Sequence, residues 1–198
     1  MDVKFFNRWD SEGVKVEDPG LIEYINLEPR LVPNTYGRNA KYRFWKSKYS
    51  IVERLVNKIM IPGHKSKKHK ISSGHMSGKN IQAMKIVENA LGIVEEKTKS
   101  NPISVLVKAV ENGAPREEIV AIEYGGARYP KAVECSPQRR IDISLRYMTQ
   151  GAYTKAFNGK KRIEETLASE IIAAAQSKPE SNSVAKKNET ERQADAAR

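Results

Sequence analysis

Between residues 38 and 79 the chain carries twelve Lys and Arg against Glu53 alone, a local charge of +11 that equals the net charge of all 198 residues. Such a stretch cannot line a core, because a buried unpaired cation is too costly, and neighbouring cations repel one another unless a partner compensates them. Residues 1–37 hold four cations against seven acids, and residues 80–198 hold nineteen against sixteen, so the excess sits in about a fifth of the chain. A field concentrated in this way selects polyanions. If roughly six to ten of these side chains meet phosphates, affinity should fall about a thousandfold or more between low and moderate salt.

Two parts of the stretch differ in chemistry. In Lys41-Tyr42-Arg43-Phe44-Trp45-Lys46-Ser47-Lys48-Tyr49, cations alternate with aromatic rings. The rings can stack on unpaired bases while Lys41, Arg43, Lys46 and Lys48, with Arg38 just before them, neutralise phosphates, a combination that suits RNA. Phe44 and Trp45 have a second reading as anchors of an arm to the core, and for Trp45 the two can coexist. Gly63-His64-Lys65-Ser66-Lys67-Lys68-His69-Lys70 shows no apolar period. It predicts a loop whose Lys65, Lys67, Lys68 and Lys70 order on RNA, with a solvated charge run as the weaker alternative. Lys79 ends the basic stretch.

Hydrophobic residues make up 39% of the chain and charged residues 30%, which permits one modest core with extensions. Cys135 is the sole cysteine, so no internal disulfide can form and a reducing, cytoplasmic setting is expected. No apolar run approaches the ~18 residues that span a bilayer, so no membrane partner is expected.

Periodicity divides the rest. From Ser50 the spacing of Ile51, Val52, Leu55, Val56, Ile59 and Met60 predicts a helix, with Ser50-x-x-Glu53 as a capping box and Pro62-Gly63 as its stop. A second helix is predicted from about Lys79 to Lys97, burying Ile81, Met84, Val87, Leu91 and Val94. A third starts at the Asn101-Pro102 cap, turns Ile103, Leu106, Val107 and Val110 inward, and ends at Asn112-Gly113. The period then changes, and Gly125-Gly126 between two β-rich runs predicts a hairpin over residues 117–134, since a two-residue turn needs positive φ at its centre. Arg128, Tyr129 and Lys131 would ride on this finger, and Pro130 confines its strand to an edge.

Ser136-Pro137 opens a long helix carrying Ile141, Leu145, Met148 and Ala152, with Arg139, Arg140 and Arg146 offered to phosphates. A last strong helix runs from about Lys160 to Gln176 over Ile163, Leu167, Ile171 and Ile172. Lys160, Lys161 and Arg162 at its start oppose the helix dipole, which either a phosphate or plain solvation would relieve. From Ser177 the chain is polar, with Lys186 and Lys187 among balanced charges, and it predicts a helix-prone tail that orders against RNA or the core on binding. The boundaries expected are a 1–49 extension, a 50–176 core with the hairpin, and a 177–198 tail.

Chemistry beyond binding finds little footing. His64, His69 and His75 lie in a cationic stretch that repels divalent ions, and Cys135 is distant, so no metal is expected. Gly74-His75-Met76-Ser77-Gly78-Lys79-Asn80 resembles a phosphate-binding loop, but its glycines are one residue too close and Asn80 stands where a hydroxyl would hold magnesium. Glu95-Glu96 and Glu117-Glu118 are adjacent surface pairs, and no nucleophile–base pattern occurs. Cys135 reads as packing rather than catalysis. No catalytic residue, cofactor or small-molecule substrate is expected.

The helix order, the Gly125-Gly126 hairpin and Ser136-Pro137-Gln138-Arg139-Arg140 together resemble the small-subunit ribosomal protein S-seven family. Ile51-Val52-Glu53-Arg54-Leu55, Asn101-Pro102-Ile103-x-Val105-Leu106, Gly113-Ala114-Pro115-Arg116-Glu117 and Glu165-Thr166-Leu167-Ala168 support the resemblance across nearly the whole chain. Trp9 to Asp18 with Tyr24-Ile25, and the tail from Ala185 to Arg192, look like the archaeal and eukaryotic branch. The resemblance implies a ribosomal protein that binds small-subunit ribosomal RNA in the head early in assembly. It also implies neighbouring head proteins, and a hairpin near the exit-site transfer RNA and emerging message.

The expected fold is mainly α, a bundle of about five to six helices with one protruding β-hairpin and a basic N-terminal extension. The expected function is non-enzymatic RNA binding through residues 38–79, Arg116, the hairpin, and the helix of Arg139 and Arg140. The competing reading is a helical DNA-binding regulator, which needs a recognition helix and usually a dimer. An RNA-modifying enzyme would need a pocket with a base, nucleophile or cofactor loop.

Overall fold

The computed structural model describes residues 3–63 and 74–198. The elements are α1 (Ile51–Ile59), α2 (Asn80–Thr98), α3 (Pro102–Gly113), β1 (Glu117–Tyr124), β2 (Ala127–Glu134), α4 (Pro137–Ala156), α5 (Ile163–Ala175) and α6 (Asn182–Ala196). The chain is therefore mainly α with one hairpin, as the periodicities predict. α5 occupies the middle, packed on α2, α3 and α4, while α1 lies on α2 and α4.

Local signals explain most boundaries. Asn101 Oδ1 accepts from the Ile103 N–H at 3.0 Å and Pro102 opens α3 without a donor to lose. Leu106, Val107 and Val110 then repeat on one face and are buried with Ile103. The hairpin pairs Glu117 with Glu134 through to Tyr124 with Ala127, and Gly125 and Gly126 take φ of 59° and 82° at the turn. From Ile119 to Lys131 both faces of this ribbon are exposed, so it projects as a finger.

Three expectations change on folding. Ser50 caps α1 by accepting from Glu53 N at 3.3 Å, but Glu53 does not complete the box. Its buried carboxylate instead accepts from Thr35 N at 2.8 Å and Thr35 Oγ1 at 2.7 Å, because the N-terminal segment folds over α1 and offers better donors. Ile81, predicted inside, is 70% exposed, since α2 buries the Ala83, Val87, Ala90 and Val94 stripe and its first turn lies beyond the core. The polar segment after Ser177 is already helical here. α6 packs along α4 and the base of the hairpin, with Ser183 and Val184 buried.

The N-terminal stretch is likewise part of the body. Phe5, Trp9, Leu21 and Ile25 join the core cluster, and Trp9 Nε1 donates to Glu95 Oε2 at 2.9 Å. Phe44, weighed as an anchor, is 61% exposed, and Trp45 is half-buried outside that cluster. Phe5 and Trp9 are the segment's buried aromatic anchors, and Phe6 and Tyr24 pack against the same cluster.

Candidate nucleic-acid interface

Where α1 crosses α4, Asp142 gathers three cations. Lys46 hydrogen-bonds its Oδ2, Arg54 Nη2 sits 3.1 Å from Oδ1, and Lys58 Nζ lies 3.9 Å from Oδ1. Arg54 also donates to Tyr24 O at 3.1 Å, and Arg146, one turn along α4 from Asp142, adds its charge to the field at Lys58. One carboxylate among four cations leaves a standing positive excess.

Electrostatics follow from this crowding. Burial alone would raise the Asp142 pKa, but the Lys46 hydrogen bond and the charges of Arg54 and Lys58 outweigh it and hold the group below the usual carboxylate range. Burial, together with Arg146, Lys46 and Arg54, lowers the Lys58 pKa against the pull of Asp142. The Lys58 ammonium therefore gains from any additional anion. Arg54, Lys58 and Asp142 were not singled out as site residues from sequence. Their trace was the i, i+4 spacing of Arg54 with Lys58 and of Asp142 with Arg146, which puts each pair on one helix face without saying that the faces meet.

Beside this cluster, Lys46 continues into the aromatic strip. Tyr42 and Trp45 lie with ring centroids 4.2 Å apart, tilted by 55°. Lys48 Nζ stands 4.1 Å from the centre of Trp45, and Arg43 lies over Phe44 at 5.2 Å. Lys41, Tyr42, Arg43, Phe44 and Lys48 are all exposed, so cations and ring faces reach solvent together, with Arg38 exposed just before them.

The remaining predicted residues scatter. Arg128, Tyr129 and Lys131 stand exposed on β2, with Arg128 3.7 Å from Glu123 across the ribbon. Arg139 is exposed but forks onto Glu118 at 2.6 Å through both Nε and Nη2. Arg140 faces inward, donating to Pro115 O at 3.1 Å and to Asp18 at 2.6 Å. It ties the N-terminal segment to the hairpin base. Arg116 is exposed, and its N–H donates to Glu191 of α6 at 2.9 Å.

Lys160, Lys161 and Arg162 are exposed ahead of α5, whose first turn carries Glu164 and Glu165 to meet the dipole. Lys186 pairs with Glu189 at 2.6 Å on α6, Lys187 shares a concavity with Arg116 and Arg140, and Lys79 lies at the start of α2. Lys65, Lys67, Lys68 and Lys70, with His64 and His69, lie outside the described residues. Among the described residues no group of three or more His, Cys, Asp or Glu could hold a metal, and no helix is long and apolar enough to cross a membrane.

The family model for Ribosomal protein S7p/S5e matches residues 22–198. A Small ribosomal subunit protein uS7 from Nanoarchaeum equitans is 52% identical over 198 residues, covering 100% of both chains. Its counterpart from Methanothermobacter thermautotrophicus is 50% identical over 192 residues, 97% of each chain. That from Archaeoglobus fulgidus is 48% identical over 193 residues, 98% of this chain and 94% of its own.

Proposed function

The chain belongs to the ribosomal protein S7p/S5e family, and from that membership we propose that it is a non-enzymatic, structural constituent of the small subunit of the cytoplasmic ribosome, working by gripping ribosomal RNA. The observation that carries the RNA reading is the cation cluster on Asp142. Lys46, Arg54 and Lys58 around one carboxylate, with Arg146 adding to their field, leave charge that protein does not balance. Phosphates supply that balance, and the adjoining Tyr42, Phe44 and Trp45 supply faces for unpaired bases.

In this reading residues 50–176 are the RNA-binding core, with the 1–49 segment and the 177–198 helix bracing it. Arg38, Lys41, Arg43, Lys46, Lys48 and Arg146 meet RNA backbone, joined by Lys65, Lys67, Lys68 and Lys70. The RNA is that of the subunit head, where binding nucleates assembly beside neighbouring proteins. The exposed hairpin, with Gly125 and Gly126 at its tip, reaches towards exit-site transfer RNA and message. Arg140, enclosed by Asp18 and Pro115, braces the hairpin instead of meeting phosphate.

The test is the salt dependence of binding to purified small-subunit ribosomal RNA. Replacing Lys46, Lys58 and Arg146 together by Ala should reduce the slope of log K against log salt by up to about 2.7, roughly 0.9 for each lost phosphate contact. The intact chain should travel with small subunits on sedimentation at moderate salt. An unchanged slope, or preference for duplex DNA over structured RNA, would overturn the reading.

A further inference from the structure

A second concave surface, built from other side chains, lies where the turn around Thr35 meets the first turns of α2. It encloses about 670 Å³, and Tyr36, Ile81, Lys79, Lys85, Asn34 and Asn80 are among its lining residues, none of which is Asp or Glu. Tyr36 is 83% exposed and Ile81 70%. Tyr36 and Ile81 thus both offer apolar surface at the same open cavity.

The way Tyr36 is held adds to this. Its φ of 50° is in the left-handed region, which an aromatic residue adopts only when its surroundings enforce it. Here they do. The buried Glu53 carboxylate grips Thr35 through two hydrogen bonds of 2.8 and 2.7 Å, Asn34 Oδ1 accepts from Tyr36 N at 2.9 Å, and Asn34 Nδ2 donates to Asn80 Oδ1 at 3.3 Å. The ring is thus presented beside α2 by a strained backbone fixed from both sides, and no ring or cation of the described residues stacks on it. Such strain collects at binding sites, where preorganisation repays it.

We propose that this concavity binds one unpaired RNA nucleotide, its base lying between Tyr36 and Ile81 and its phosphate meeting Lys79 and Lys85. Chemistry selects the occupant. A cavity flanked by an aromatic and an aliphatic side chain suits a nucleobase, both lysines are exposed, and Asn80 Nδ2 and the Gln82 amide are placed to pair with a base edge. The inference rests on the RNA reading above but uses none of the cations on Asp142.

The full chain is titrated with purified small-subunit ribosomal RNA, and the same RNA carrying 4-thiouridine is crosslinked to it and the adducts mapped. Tyr36→Ala should weaken binding about five- to a hundredfold, the loss of one base–aromatic stack, while Tyr36→Phe binds as the wild type does. Both variants should melt with the wild type because the ring is exposed. Lys79→Ala with Lys85→Ala should lower the salt slope, and adducts should fall on Tyr36 or residues 79–85. If Tyr36→Ala binds normally while the Lys46, Lys58 and Arg146 variant still loses slope, this site is wrong and the RNA reading stands. Adducts that map only outside Tyr36 and residues 79–85 would also overturn it. Failure of the wild type to bind the RNA at all would sink both.

Discussion

Replacing Asp142 by Ala removes the one anion that Lys46, Arg54 and Lys58 share. The three cations do not suffer equally. Lys46 and Lys58 side chains are 43% and 31% exposed and can turn to water, whereas Arg54 is 4% exposed and, among the described residues, would keep Tyr24 O at 3.1 Å. Stranding one member of a buried pair costs about 3–5 kcal/mol, and with Arg54 alone trapped the lower end, about 3 kcal/mol, applies. A chain of this size loses roughly 2–4 °C of melting temperature per kcal/mol, so Asp142→Ala should melt about 6–12 °C below the wild type at neutral pH.

The pH dependence gives an independent check, read by circular dichroism melts of both proteins from pH 7 downward. The Asp142 pKa in the folded state lies below its ordinary value, because its cations outweigh burial. Its contribution is therefore complete above the unfolded carboxylate pKa of about 3.9 and is lost as pH falls through the folded value. The gap between the two proteins should be full at pH 7 and close below about pH 4. A variant melting within about 2 °C of the wild type at pH 7, or a gap indifferent to acid, would show that the cluster does not organise α1 on α4.

Two further outcomes follow from close contacts and burial. At Gly151 an added Cβ would lie 2.7 Å from Asn182 Cβ and 2.8 Å from Glu170 Oε1, so Gly151→Ala must push α6 off α4. The overpacking cost of about 1–3 kcal/mol outweighs a helix-propensity gain near 1 kcal/mol, and amide exchange across Asn182–Ala196 should quicken; unchanged exchange would refute the contact. Burial, reinforced by Glu118, pushes the Cys135 thiol from 9.0 up to about 11. Alkylation at pH 8 should then be about a hundredfold slower than for an unfolded control, and comparable rates would show the thiol to be accessible and ordinary.

Much of the architecture was legible because it is written in short-range rules. Asn101-Pro102 starts a helix because a side-chain acceptor and a missing donor suit the first turn, and Gly125-Gly126 turns a ribbon because two positive φ angles are required there. The concentration of cations in residues 38–79 was equally plain, since charge counts need no coordinates. Less legible was which cations remain free. Arg139 and Arg140 are adjacent and chemically identical, yet Arg139 reaches the surface while Arg140 is enclosed by Asp18, 122 residues away.

Sequence alone determined the element types, the hairpin and the basic stretch, because propensity, capping and Coulomb repulsion act over a few residues or need only a count. Tertiary structure decided that Glu53 would hold Thr35 rather than complete its own cap, that Phe5 and Trp9 would anchor the N-terminal segment, and that Asp142 would gather Lys46, Arg54 and Lys58. Each of these joins groups far apart along the chain, and such pairs meet only after burial of the helix faces has set the angle and register at which the helices cross.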